Sequence, residues 1–215
     1  MNAIFTQSLM TLFFATIVLL HMVKKKSVLA IIYGLQSFAI VLLLISSFFH
    51  TGAVSLLLIA LLVLAVKVIL APLFITRLIK KHDLKFLVGT YANTPLTLII
   101  VAVFVAIAHS KVFLPLVDII PANRELLSLV LSALFISLFL LVNRKGALSQ
   151  IIGVLSLENS IVAFGLLAGL EQTPALQIGI IFNLSVWIVI ATIFISMIYK
   201  HFGSLDVTEM THLKD

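Results

Sequence analysis

"GVLSLENSIVAFG" occupies residues 153–165, and its reading decides the fold. Apart from one carboxylate, Glu158, it holds what a lipid-spanning helix contains. The apolar segment around it, 148–170, is long enough at about 1.5 Å per residue to cross a hydrocarbon core about 30 Å thick. Six more segments have the same character: 3–23, 27–49, 53–76, 87–110, 125–142 and 177–199. The pattern predicts an all-α fold, a polytopic membrane helix bundle of about seven transmembrane helices.

Composition leads to the same class. Of 215 residues, 62% are hydrophobic and only 10% charged, with a mean hydropathy of +1.29. Soluble domains carry about 25% charged residues. The chain has no cysteine, so it offers no disulfide, thiolate metal site or iron–sulfur ligand. Lys24-Lys25-Lys26 follows the first apolar stretch instead of preceding it, so that stretch reads as a retained helix and not a signal peptide. Most connections are short. The longest, 110–125, contains two prolines and is expected to run along the membrane surface. The expected organisation is a four-helix segment over 1–110, a surface linker over 111–124, and a three-helix segment over 125–215 that ends in a short cytoplasmic tail. Pro72 and Pro95 fall in or near the third and fourth helices, where they would free backbone carbonyls and favour kinks.

The net charge of +6 follows from topology. With the N-terminus outside, the inner loops and tail collect Lys24, Lys25, Lys26, Arg77, Lys80, Lys81, Lys85, Arg144, Lys145, Lys200 and Lys214. The outer side receives only Lys111 and Arg124. That asymmetry orients the chain N-terminus out and C-terminus in. It also removes the reason to invoke a nucleic-acid partner; the bilayer itself is the first partner.

Four polar residues stand out within the spans. Counted from the basic inner flanks, Gln36 and Lys67 each lie about 15 Å deep, and Glu158 about 20 Å, on three different helices. Asn183 lies about 25 Å from Lys200, in the outer half of the last span. A charged residue at a helix centre costs about 2.5–3.5 kcal/mol on insertion scales. Holding a carboxyl of ordinary acidity neutral at pH 7 costs a similar amount, about 3.7 kcal/mol. Such a near-balance suits a proton carrier, so Glu158, Lys67, Gln36 and Asn183 are the candidate proton or ion pathway. The competing reading is a static buried ion pair between Lys67 and Glu158, with Gln36 and Asn183 as interhelical hydrogen-bonding groups. Ser156, Ser160, Ser185 and Thr192 read as ordinary helix residues that bond back to their own carbonyls.

His21, His50, His82, His109, His201 and His212 fall at helix ends, in loops or in the tail, where interfacial anchoring is expected. No histidine pair has metal-ligand spacing, and no nucleophile–base pattern, phosphate loop or dinucleotide fingerprint occurs. The expectation is no catalytic residue, no metal and no cofactor.

The last ninety residues resemble the small K subunit of respiratory complex I and the C subunit of Mrp-type cation/proton antiporters. "NRKGALSQIIGVLSLENS" (143–160) carries the basic turn, the Ile152-Gly153 step and the polar Asn159, and "SLDVTEM" (204–210) is like the tail of those subunits. Over nearly the whole chain, "YGLQSF" (33–38), "VKVILAPL" (66–73), "LEN" (157–159) and "GSLDVTEMTHLKD" (203–215) are similar to component E of hydrogenase-4 and formate hydrogenlyase complexes. The resemblance implies a non-catalytic membrane-arm subunit in a prokaryotic inner (cytoplasmic) membrane. Its partners would be antiporter-like and other membrane subunits of a multisubunit complex with a peripheral redox arm. It also implies a place for Glu158 in an intramembrane proton (or sodium) axis. Aligning Gly153 with the K-subunit glycine puts Glu158 about one helical turn beyond the usual glutamate, whose place holds Leu155. Asn183 stands about where the second acidic residue would be. A structural scaffold of the same arm and a component of an Mrp-type antiporter are the alternatives.

Overall fold

The computed structural model describes residues 3–81, 89–118, 120, 123–170, 179 and 197. Among these the fold is all-helical: α1 (Ala3–Met22), α2 (Lys26–Thr51), α3 (Val54–Val63), α4 (Ala71–Lys81), α5 (Thr94–Ala108), α6 (Leu114–Val117), α7 (Arg124–Asn143) and α8 (Ala147–Leu167). A π-helical stretch, Leu64–Leu70, joins α3 to α4, so Val54–Arg77 forms one long apolar rod. Among the described residues, five helices are long and apolar enough to cross a membrane, and α5 with its bent continuation makes a sixth candidate. The first three spans and those of α7 and α8 fall where the sequence places them. The expected last span, 177–199, lies outside the described residues except for 179 and 197, and Asn183 lies outside them.

The fourth span differs from expectation. Residues 89–93 are not helical, and α5 starts only at Thr94. Asn93 caps it, its side chain accepting the Leu96 N–H at 3.0 Å, and Pro95 sits in the first turn. A missing N–H costs nothing there, so Pro95 starts this helix and does not kink it. Fifteen residues reach only about 22 Å. The chain continues through a 3₁₀ turn, Lys111–Phe113, into α6, bent by 49° from α5. Part of the expected 111–124 linker is therefore helical.

Pro72 acts on the rod as expected, with a specific outcome. Its absent N–H leaves the Val68 carbonyl without its usual partner, and its ring crowds that carbonyl. The backbone widens just before it: the Ala71 N–H bonds the Val66 oxygen, five residues back. This widening matters for what faces inward. Ile59, Val63, Lys67, Ala71 and Ile75 are all buried at intervals of four. In a pure α-helix each such step drifts by about 40° around the axis. A π turn takes up more residues, which cancels drift and keeps Lys67 on the buried face.

α2 is the hub. It packs against α1, α3, the π stretch, α4 and α8. α7 and α8 form the most extensive pair, with α1 and α5 packed on α7. Gly153 permits that pairing, because a Cβ there would stand 3.0 Å from the Leu141 Cα and amide nitrogen. Gly34 lets α2 approach the rod, facing Pro72 Cγ and the Val68 carbonyl.

Candidate functional site

The buried apolar side chains form two separate clusters. On four of the five elements that cross both, the changeover falls at polar residues; on α1 it falls at Val18 and Leu19. On α2 it lies between Tyr33 and Ala39, where Gln36 and Ser37 stand. On the rod it lies between Val63 and Ala71, at Lys67. On α7, Ser137 stands between Ile136 and Leu140. On α8, Ser156, Glu158, Asn159 and Ser160 stand between Leu155 and Val162. Together they make a polar layer across the bundle. Gln36, Lys67 and Glu158, which the sequence count puts at similar depth, share this layer.

The layer has two arms. In the first, Lys67 Nζ lies 2.9 Å from Glu158 Oε1 and donates to Asn159 Oδ1 at 3.2 Å. Asn159 Nδ2 in turn donates to Ser37 Oγ at 2.9 Å. The buried Tyr33 hydroxyl is beside Ser37 and Glu158 without an aligned hydrogen bond. Lys67 is almost fully enclosed at 2% side-chain exposure, whereas Glu158 keeps 20%. Glu158 Oε1 is itself buried and lacks an aligned donor, so its contact with Lys67 is an ion pair. The exposure therefore belongs to the rest of that side chain.

In the second arm Gln36 Nε2 donates to Ser156 Oγ at 2.9 Å, and Ser137 Oγ lies 3.2 Å from both Ser156 Oγ and Ser160 Oγ. Ser160 Oγ donates to the Ser156 carbonyl at 3.0 Å. Each hydroxyl has one hydrogen. Ser160 has spent its own, so Ser137 donates to Ser160 and Ser156 donates to Ser137. The order is fixed: Gln36 amide, Ser156, Ser137, Ser160, Ser156 carbonyl. It starts at an amide and ends at a backbone carbonyl, neither of which ionises near neutral pH. Among the described residues no hydrogen bond joins the two arms.

These contacts sharpen the sequence reading in three places. Gln36 makes the interhelical hydrogen bond of the competing reading, through Nε2 to Ser156, while its Oε1 is buried with no hydrogen-bond partner among the described residues. Ser156 does not bond back to its own helix as expected, although Ser160 does. Asn159, Ser37 and Ser137 were missed as site residues. The signal was faint: a polar residue beside Glu158, another beside Gln36, and one serine in an apolar helix.

A second polar cluster lies at the end of the bundle where α1, α7 and α8 meet the 89–93 segment. Arg144 is 1% exposed and donates from Nη2 to the Leu20 and Val23 carbonyls at the end of α1, the latter at 3.1 Å. Thr90 and Arg144 form an isolated antiparallel bridge, with the Tyr91 N–H on the Asn143 carbonyl at 3.0 Å and the Lys145 N–H on the Gly89 carbonyl at 3.1 Å. Asn143 Oδ1 also accepts the Ala92 N–H at 2.8 Å. Burial brings the Arg144 guanidinium down to about 10, which leaves it charged at neutral pH. His21 is not an interfacial anchor. It is buried, stacks on Phe139 at 5.1 Å, and its Nε2 meets the Ile136 carbonyl at 3.0 Å. Its ring sits in the α1–α7 seam, where its polar edge finds that carbonyl. His50 and His109 are exposed, as expected. Among the described residues no cluster of three or more His, Cys, Asp or Glu could hold a metal.

The architecture and its apolar spans define a class, the multi-pass helical membrane proteins. Comparison with protein-family models, with curated proteins and with solved structures returns no match at any of the three levels.

Proposed function

We propose that this chain is a non-catalytic, proton-relaying subunit of the membrane arm of an energy-converting, hydrogenase-like complex related to complex I. It would sit in a prokaryotic cytoplasmic membrane with seven spans, N-terminus out and C-terminus in. The basic residues that flank α1, α2, α4 and α8 support that orientation. The observation that carries the functional reading is the contact between Lys67 and Glu158 inside a transverse polar layer, 2.9 Å apart on different helices. A proton taken up by Glu158 neutralises the carboxylate and removes its attraction for the ammonium. Lys67 then remains held by Asn159, positioned to pass a proton onward. The π turn, which keeps Lys67 turned inward ahead of Pro72, fits such a role, since π segments inside helices often mark functional positions.

The test has two parts. Affinity purification from the native membrane should bring down antiporter-like subunits and a hydrogenase-type large subunit with metal-ligating cysteines. In vesicles holding that complex, Glu158→Gln should abolish or sharply reduce proton translocation at unchanged subunit stoichiometry. Unchanged translocation by a fully assembled variant rejects the relay.

One observation favours a second reading, a scaffold that seals and positions its neighbours. The Gln36–Ser156–Ser137–Ser160 arm has every hydroxyl hydrogen committed and joins α2, α7 and α8 without a transport role. If the whole layer serves that purpose, replacing Lys67 and Glu158 together by Leu leaves translocation normal. Copurification with antiporter subunits and no redox arm would instead favour an Mrp-type assembly.

A further inference from the structure

The polar layer is closed on one side and open on the other. Toward α7 it ends in the hydroxyl arm, whose donors are all spent. Toward the outer face of α8 it ends at Glu158. Val154 and Ile161, 37% and 54% exposed, stand four residues before and three after it, so the three share one helix face. Glu158 keeps its 20% exposure on that face. It is the twelfth residue of Ala147–Leu167, about 16 Å from one end of the helix and about 14 Å from the other. A carboxylate at that depth is costly against lipid tails, and intramembrane charges nearly always face protein or water.

We infer that the Val154–Glu158–Ile161 face of α8 docks a transmembrane helix of a different chain, which sets a basic or hydrogen-bond-donating side chain opposite Glu158. Charge excludes two occupants. Lipid tails offer no donor. A second copy of this chain, packed about a two-fold axis on this face, would bring Glu158 against Glu158, and like charges repel. A foreign helix with a lysine, arginine, histidine, amide or hydroxyl at mid-depth completes the carboxylate and leaves Val154 and Ile161 to pack as apolar flanks. The inference builds on the proposed role of the Lys67–Glu158 pair by making Glu158 its lateral port. It assigns the α3 outer face, where Leu58 is 61% exposed with no buried charge beside it, to lipid.

The experiment places the photo-crosslinking residue p-benzoylphenylalanine at Ile161, and separately at Leu58, in the full chain in its native membrane. Mass spectrometry then maps the adducts. Position 161 should couple to an apolar span of another chain with a donor side chain within one helical turn of the attachment site, and position 58 to lipid. The yield at 161 should drop severalfold when Lys67 and Glu158 are both changed to Leu, a pairing that avoids stranding either charge. Adducts at 161 only with lipid, with a second copy, with residues 171–215 of the same chain, or with a span lacking a donor would overturn the inference. So would an undiminished yield in the double variant. The two proposals fail separately. A mapped partner with normal proton translocation in Glu158→Gln rejects the relay alone, and lost translocation with lipid-only adducts rejects the docking face alone.

Discussion

Two buried cations, Lys67 and Arg144, are treated differently by this fold. Lys67, at mid-depth, faces a carboxylate 2.9 Å away. Arg144, between the ends of α7 and α8, faces only the terminal carbonyls of α1, and no acidic residue pairs with it among the described residues. The carbonyls at a helix C-terminus carry about half a negative charge together, fixed in place. They hold a cation and cannot take its proton. Arg144 is therefore a latch, charged at neutral pH even with its guanidinium lowered to about 10. Its burial cost is present below that value and is lifted only as pH rises above it toward the ordinary guanidinium range, so this latch adds no pH dependence near neutrality. The Lys67–Glu158 pair has a titratable partner on each side and can change state. The lesson is that the counter-ion, more than burial, separates a fastening from a candidate relay.

That contrast can be broken in several ways. The largest effect is expected from Glu158→Leu, which strands Lys67 without its counter-ion and should cost about 3–5 kcal/mol, read from unfolding in lipid–detergent micelles. Changing both residues to Leu should recover nearly all of that loss, since an apolar pair of similar volume often replaces a buried ion pair without penalty. A double variant as unstable as the single one would show that the pair is not what sets the stability of the layer.

Arg144→Met should cost less, about 2 kcal/mol, because a bond from a charged donor contributes about 1.5–3 kcal/mol and no opposite charge is left buried without its partner. The damage should be local. Hydrogen exchange at the Tyr91 and Ala92 amides should quicken, while amides in the polar layer keep their protection. Loss of protection across the whole bundle would mean that the latch and the layer are one cooperative unit.

The smallest effects concern the glycines that serve each region's packing. Gly153→Ala presses a Cβ to 3.0 Å from the Leu141 backbone and should cost about 1–3 kcal/mol in thermal or denaturant unfolding. Gly34→Ala meets Pro72 Cγ at 3.4 Å, an ordinary contact, and gains helix propensity, so it should be neutral or slightly stabilising. The reverse order would mean that α2 and the rod are packed more tightly than α7 and α8.

Most of the spans were legible because hydrophobic length is a one-dimensional property, and so was the shared depth of Gln36, Lys67 and Glu158. What touches what was not. Rotation about each helix axis decides that Lys67 meets Glu158 and Asn159 while Gln36 turns to Ser156, and an apolar sequence carries little information about rotation. The π stretch was hidden for the same reason: "LAVKVIL" (64–70) reads as ordinary helix until the four-residue spacing of its buried side chains is known. Arg144 counts as one of the inner basic residues in the sequence, and only the folded turn reveals that it points inward. The start of α5 was recoverable in principle, since Asn93 followed two residues later by Pro95 is a helix-start signature that the apolar run upstream obscured.

The central claim is that the Lys67–Glu158 pair changes protonation state, and infrared difference spectroscopy of the protein isolated from its membrane in lipid tests it directly. During a pH titration across the neutral range, the account predicts a protonated-carboxyl band that appears and disappears reversibly, is absent in Glu158→Gln, and shifts its midpoint in Lys67→Met. A carboxylate that stays ionised throughout, in folded protein with the pair intact, would contradict it and leave the pair a static fastening like Arg144.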